Sequence, residues 1–204
     1  ARLQEIAKQT WVRHFDDSLG LAWEESQRRL AHSPAADQLP VVEQLLSDQP
    51  WQRKKRSESE ALPEGYGFDL DVPEDTFNYG ELHNLSVSRG TLTPEERYKI
   101  NEHVVQTIVM LESLPLPRGL MRVPEYAGTH HETLRGDGYP RKLPPEKLSV
   151  PSRIMAICDI FEALTASDRP YKKAKSLSVA VDILAGFRDR GHIDSDLFEL
   201  FLTS

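Results

Sequence analysis

Apolar positions recur at three- and four-residue intervals along most of the chain, the spacing that gathers them on one face of an α-helix. Leu3, Ile6, Ala7 and Trp11 mark a first helix that breaks near Asp16-Asp17-Ser18-Leu19-Gly20. Ala22 to Leu30 predicts a second helix. Pro40 to Leu46 predicts a third, with proline in the first turn, where its missing N–H costs little. Residues 47–80 are rich in proline, glycine and charge without a long period of either kind, and read as a connector or insertion. Beyond them the signals sharpen. Thr93-Pro94-Glu95-Glu96 is a capping box with proline at the first helical position. Ile100, His103, Val104, Thr107, Ile108 and Leu111 share one face of the helix that follows, which points His103 inward. A short helix is expected from Pro124 into His130 and His131. Another, capped near Ser149 with Pro151 at its start, carries Ile154, Cys158, Phe161 and an inward Asp159. A helix from about Ser178 stops at Gly191, and Asp194 caps a last one through Leu202. No alternation of period two competes with these assignments, so the chain is predicted to be all-α.

Composition narrows what such a chain does. Its 204 residues, 39% hydrophobic and 28% charged, suffice for one sizeable core and a small appendage. Apolar runs last only a few residues against the roughly 20 that span a bilayer, and the N-terminal Ala-Arg-Leu-Gln-Glu lacks the apolar core of a signal peptide. No membrane contact is expected in this segment, and a cytoplasmic location fits, although a full-length protein could be membrane-anchored. The single cysteine, Cys158, leaves no internal disulfide to form and reads as a small core residue of the Asp159 helix. A net charge of −7 argues against binding a nucleic-acid polymer. The basic run Arg53-Lys54-Lys55-Arg56 is followed at once by Ser57-Glu58-Ser59-Glu60 and reads as a solvated loop.

Candidate chemistry concentrates in the run His130-His131-Glu132-Thr133-Leu134-Arg135-Gly136-Asp137-Gly138-Tyr139-Pro140. Imidazole nitrogens and carboxylate oxygens are the ligand types that suit iron, manganese or zinc, and the glycines let the backbone turn tightly beside a ligand. A surface turn with two incidental histidines is the plain alternative. Adjacent helical side chains diverge by about 100°, so His130 and His131 either ligate different ions or sit where a helix ends. Asp159, set among Ile157, Cys158, Ile160 and Phe161, would be a buried carboxylate in need of a cation or several hydrogen bonds.

Taken together, the Thr-Pro-Glu-Glu start ahead of His103, the His-His-Glu and Gly-Tyr-Pro run, and Asp159 with Ala163-Leu164-Thr165 and Asp168-Arg169-Pro170-Tyr171 resemble the HD-GYP family. This is a branch of the HD metal-dependent phosphohydrolases that hydrolyses the bacterial messenger cyclic di-GMP, to linear pGpG or GMP. The resemblance implies an all-α helical bundle holding a binuclear or trinuclear centre of iron or manganese, in which an activated water attacks the phosphodiester. It maps the late metal ligands onto His103, His130, His131 and Asp159, and substrate contacts onto Arg169, Lys172 and Tyr139. His14, His32, His83 and His192 match no family ligand and are expected to be structural or surface residues.

Two departures accompany the resemblance. The His-Asp dipeptide that names the family occurs nowhere in the chain, nor does the histidine that normally precedes it. Residues 80–204 are therefore expected to be the C-terminal part of an HD-GYP domain that is incomplete at its N-terminus. Residues 1–79, in which Gln9 to Leu21 resembles the tail of an insertion found in one subgroup, are expected to be a helical insertion or connector. Second, Arg135 stands where the family has aspartate, with Asp137 two places on; it could pair with Asp137, touch a phosphate or mark a weakened site. The rival to an enzyme is a degenerate module that binds cyclic di-GMP, or a protein partner through the Gly138-Tyr139-Pro140 loop, without turnover. A different HD-type phosphohydrolase acting on another nucleotide is the second rival.

Overall fold

The computed structural model describes residues 2–32, 38–88, 90–167 and 174–203. Among them the chain forms eight α-helices and four short strands. It divides into two compact units, one of Ala1–Ala61 with Val72–Ile100 and one of Leu62–Asp71 with Asn101–Ser204.

The first unit is where sequence and structure part. Helix α1 covers only Arg2–Ala7, and Trp11 lies on a strand, β1 (Thr10–Arg13). The segment expected as a third helix is β2 (Val41–Gln44), which pairs antiparallel with β1 from Thr10↔Gln44 to Arg13↔Val41. Both segments are short and carry β-branched or aromatic residues in succession, Thr10-Trp11-Val12 and Val41-Val42. Over so few residues, periodicity does not separate helix from strand, and side-chain shape decides. Pro40 therefore precedes an edge strand, another place where a missing N–H is tolerated. Between β1 and β2, helix α2 (Trp23–His32) forms as expected.

The basic run is likewise no solvated loop. Arg53–Lys55 is strand β3, paired with β4 (Asp75–Asn78). Its cations meet acids on the facing chain: Arg53 Nε lies 2.7 Å from Asp75 Oδ2 and Arg53 Nη2 3.0 Å from Glu74 Oε2, while Lys55 pairs with Glu74. Helix α3 (Glu81–Leu85) follows, and His83 Nε2 reaches Glu95 Oε2 at 3.0 Å.

From Thr93 onward the chain was better legible. Helix α4 (Pro94–Glu112) begins with the expected box: Thr93 N–H donates to Glu96 Oε2 (2.9 Å) and Glu96 N–H to Thr93 Oγ1 (3.3 Å). Then come α5 (Val123–Thr129), α6 (Val150–Thr165), α7 (Leu177–Asp189) and α8 (Ser195–Thr203). The expected stops and caps are present, with Gly191 at φ +66° and Leu197 N–H donating to Asp194 Oδ1 at 3.1 Å. Ile157 of α6, Leu184 of α7, Ile193 and Phe198 of α8 form a core cluster, each no more than 3% exposed. Burying four such side chains contributes on the order of 1.5–3 kcal/mol apiece, so α6 is the spine of the second unit. Val104, Val105 and Ile108 of α4 are fully buried. Gly128 of α5 lies so close to Ile108 that a Cβ there would be 2.6 Å from Ile108 Cγ1.

Candidate metal centre

That close approach sets up the site. Because Gly128 has no side chain, α5 settles against α4, and the two residues after its last turn are carried to His103. His130 is the C-cap of α5 and His131 follows it, so the helix has ended where the two imidazoles begin. The divergence expected of adjacent helical residues is thereby relaxed. One ring nitrogen from each of His103, His130 and His131 lies within 4.8 Å of the others, the only such group of three or more His, Cys or acidic side chains among the described residues. The ring centroids are 4.1 Å apart for His130 and His131, 5.3 Å for His103 and His131. Asp159 of α6 stands beside the trio, its Oδ2 3.7 Å from His131 Nδ1, too far for a direct hydrogen bond.

Local chemistry prepares these groups to bind a cation. His130 Nδ1 is 2.7 Å from the Ala127 carbonyl; a carbonyl only accepts, so Nδ1 carries the proton and Nε2 keeps its lone pair. Burial, reinforced by neighbouring His130, pushes the His131 pKa down to about 4. This imidazole is therefore neutral at physiological pH, the form that ligates a metal. Its ring stacks on Tyr139 at a centroid distance of 4.7 Å, and burial of that phenol raises its pKa to about 12.

Three burial expectations need correction. His103 is exposed, because Val104, Val105 and Ile108 take the inward positions of α4 and leave His103 at the edge of that face. Cys158 is exposed rather than a core residue, and Asp159 keeps 40% of its side chain in contact with solvent. The buried positions of α6 are Ser152, Ala156 and Ile157, so Cys158 falls on the opposite side and Asp159, about 20° round the helix from Ser152, at the edge of the buried face. Arg169 and Lys172 lie outside the described residues.

Glu132 was grouped with the two histidines as a ligand type, but it faces away from them and is 2% exposed. One carboxylate oxygen accepts from Arg141 N–H (2.7 Å) and the other from Leu143 N–H (2.9 Å). Burial pushes its pKa up, opposed by these two N–H donors. Between the two donors Lys142 adopts φ +48°, a left-handed conformation that costs a non-glycine residue about 1 kcal/mol or more and that Glu132 holds in place. Tyr139 N–H also donates to His131 O (3.2 Å). Gly138 is buried against this turn: a Cβ on it would lie 2.4 Å from Glu132 Cα and 2.6 Å from Thr133 N. The Gly-Tyr-Pro segment is thus folded back onto the residues that carry the histidines. No pattern of period marks Glu132 as structural; only its pairing with a turn nine to eleven residues later identifies it. Arg135 turns to its own loop, with Nη2 2.5 Å from Asp137 Oδ2, the pairing that is one of the three roles open to it.

Three imidazoles and a carboxylate converging from α4, the end of α5 and α6 form a nitrogen and oxygen donor set that fits iron, manganese or zinc. Known proteins resemble this chain. Residues 40–197 match the model of the HD domain family. The chain is 37% identical over 126 residues to the 3'3'-cGAMP-specific phosphodiesterase 1 of Vibrio cholerae, covering 60% of this chain and 28% of that protein. It is 41% identical over 73 residues to a cyclic di-GMP phosphodiesterase of Pseudomonas aeruginosa (36% and 17%). With a cyclic di-GMP phosphodiesterase of Thermotoga maritima the identity is 29% over 133 residues (64% and 36%). The chain therefore spans little more than a third, at most, of these relatives. With a family match that runs from β2 into α8 and encloses all four converging residues, the chain belongs to the HD domain family.

Proposed function

We propose that the protein of which this chain is part is a metal-dependent phosphodiesterase of a cyclic dinucleotide, cyclic di-GMP being the first candidate, acting in the cytoplasm. The observation that carries this reading is the convergence of His103, His130 and His131 within 4.8 Å, with Asp159 beside them. These four would hold a binuclear or trinuclear centre of iron or manganese. Bound there, such ions supply the positive charge that stabilises the developing negative charge on phosphoryl oxygens and lower the pKa of the attacking water. The chain's own residues do the rest. Ala127 fixes the tautomer of His130, Tyr139 supports the face of His131, and Glu132 anchors the turn that carries Tyr139. Arg169 and Lys172 are proposed to contact substrate phosphate, a guanidinium with two donors and an ammonium with a point charge. On this reading residues 80–204 carry the late ligands of the domain, and residues 1–79 are its insertion.

The test uses full-length protein, because the relatives are much longer than this chain. Metal content is measured by elemental analysis, and hydrolysis of cyclic di-GMP and 3'3'-cGAMP is followed by chromatography, for the native protein and for His130→Ala and Asp159→Ala. The expected result is a native protein that holds iron or manganese and yields linear products, and variants that lose metal and activity together. Native metal content in both variants would refute the ligand assignment; native protein that binds these dinucleotides without cleaving them would favour the binding module.

A further inference from the structure

Helix α6 has two faces. Ser152, Ala156 and Ile157 are buried on one, whereas Met155, Cys158 and Glu162, spaced three and four apart, form an exposed stripe on the other, with Asp159 at its edge toward Ser152. That stripe lines a cleft of about 380 Å³, completed by Thr107 of α4 and by Ala127 and His130 at the end of α5. The lining is mainly apolar. His130 and Asp159 link the cleft to the metal centre. Glu162, exposed, adds a carboxylate one helical turn beyond Asp159, about 4.5 Å further along the axis.

We propose that this cleft holds one base of the dinucleotide and that Glu162 reads that base as guanine; the inference rests on the cyclic-dinucleotide reading above. An ionised carboxylate is an acceptor at both oxygens. The Watson–Crick edge of guanine presents two adjacent donors, N1–H and the N2 amino group, and meets such a pair directly. Adenine presents an acceptor at N1 beside its N6 amino donor, so one carboxylate oxygen would oppose a lone pair. Met155 and Ala127 supply apolar surface for the face of the base, the usual complement to hydrogen-bond readout of an unstacked base. The cleft opens at the centre where the phosphate would be attacked, so one nucleotide unit can reach both. Relatives named for cyclic di-GMP and for 3'3'-cGAMP act on substrates that differ in one base, guanine against adenine, which is the distinction a group at Glu162 would make.

The experiment is calorimetric titration of the full-length protein with guanosine monophosphate and, separately, adenosine monophosphate. The native protein is compared with Glu162→Gln and Cys158→Trp, and circular dichroism verifies the fold of each. The native protein is expected to prefer the guanine nucleotide by about ten- to a hundredfold, the discrimination of one good bidentate base contact. Glu162→Gln offers one acceptor and one donor, which pairs with adenine at N6–H and N1 and with guanine at N1–H and O6 alike, and is expected to bring the ratio close to one. Cys158→Trp fills the cleft at an exposed position and is expected to weaken both nucleotides at least about tenfold, the loss of roughly 1.4 kcal/mol. A native ratio near one, or a ratio unchanged in Glu162→Gln, overturns the role of Glu162. Unchanged binding of both nucleotides to Cys158→Trp overturns the cleft. The phosphodiesterase reading is tested separately by native hydrolysis of bis(p-nitrophenyl) phosphate, which has no base: its absence counts against the reaction, its presence with an unmoved ratio against the base assignment alone.

Discussion

Gly128 and Gly186 allow one substitution to be made in two helices of the same unit with opposite expected signs. A Cβ at Gly128 would stand 2.6 Å from Ile108 Cγ1 and 2.9 Å from Cδ1, where ordinary carbon contacts need about 3.5–4.0 Å. Cγ1 is not the free end of a side chain, and Ile108 is fully buried, so relief requires an off-rotamer isoleucine or movement of α5 by about 1 Å. Overpacking of this kind costs about 1–3 kcal/mol, and the higher half of that range applies because the obstructing atom cannot swing clear. Alanine recovers up to about 1 kcal/mol through helix propensity. Gly128→Ala should therefore be destabilised by about 1–2 kcal/mol net, a fall in Tm of about 2–8 °C for a chain of this size. At Gly186 the nearest atom is Arg190 Nη1 at 3.2 Å, the end of a flexible side chain that moves aside, and Gly186→Ala should gain up to about 1 kcal/mol and raise Tm by about 2–4 °C. Both are measured by thermal and urea unfolding. Gly128→Ala should also lower metal affinity, because α5 carries His130 and His131, whereas Gly186→Ala should leave it alone. Equal Tm shifts in the two variants, or a stabilised Gly128→Ala, would refute the claim that this contact positions the histidines.

Glu132→Gln replaces one acceptor by an amide N–H facing a main-chain N–H, an unsatisfied pair costing about 1–3 kcal/mol; a lowered urea midpoint and faster tryptic cleavage at Arg141 or Lys142 are expected, and an unchanged midpoint would remove Glu132 from its anchoring role. His131 titrates at about 4 in the fold against about 6.5 in the unfolded chain, so the unfolded chain binds more protons in that window. Metal-free stability should then rise with pH between about 4 and 6.5 and be lost on acidification, by about 2–3 kcal/mol in all. His131→Asn should flatten that dependence, and a native profile already flat over the window would contradict the burial argument. Arg135→Ala breaks an ion pair whose partners are each about half exposed; a stability change below about 1 kcal/mol and unaltered metal content are expected, and loss of metal would place Arg135 in the centre.

The long-period signals from α4 onward were read correctly because they carry their own punctuation: the Thr93 box, Asp194, Gly191. The His-His pair and Asp159 were singled out by residue type and by the family resemblance, and the structure brings His103, His130 and His131 within 4.8 Å of one another. What failed were the segments too short to show a period. Trp11 and Val41 sit in runs of four residues, and there the pairing partner, thirty residues away, decides the conformation. Burial within a correctly placed helix also escaped. His103, Cys158 and Asp159 lie among apolar neighbours in sequence, but the width of the buried stripe depends on what packs against the helix, which no single segment encodes. Glu132 was seen as chemistry and is architecture, because its hydrogen-bond partners come from a turn that sequence spacing does not connect to it.

The proposed centre would draw its ligands from elements of unequal durability. Asp159 stands on the sixteen residues of α6, next but one to Ile157 in the main core cluster, and its backbone is released only when that cluster opens. His130 and His131 follow a helix of seven residues, too short to persist alone and held at its last turn by the contact of Gly128 with Ile108. Amide hydrogen exchange should therefore find α5 opening at a lower free energy than α6. Heated or mildly denatured protein would lose His130 and His131 before Asp159, so bound metal would stabilise the weaker helix most and double as the clasp that keeps α5 folded.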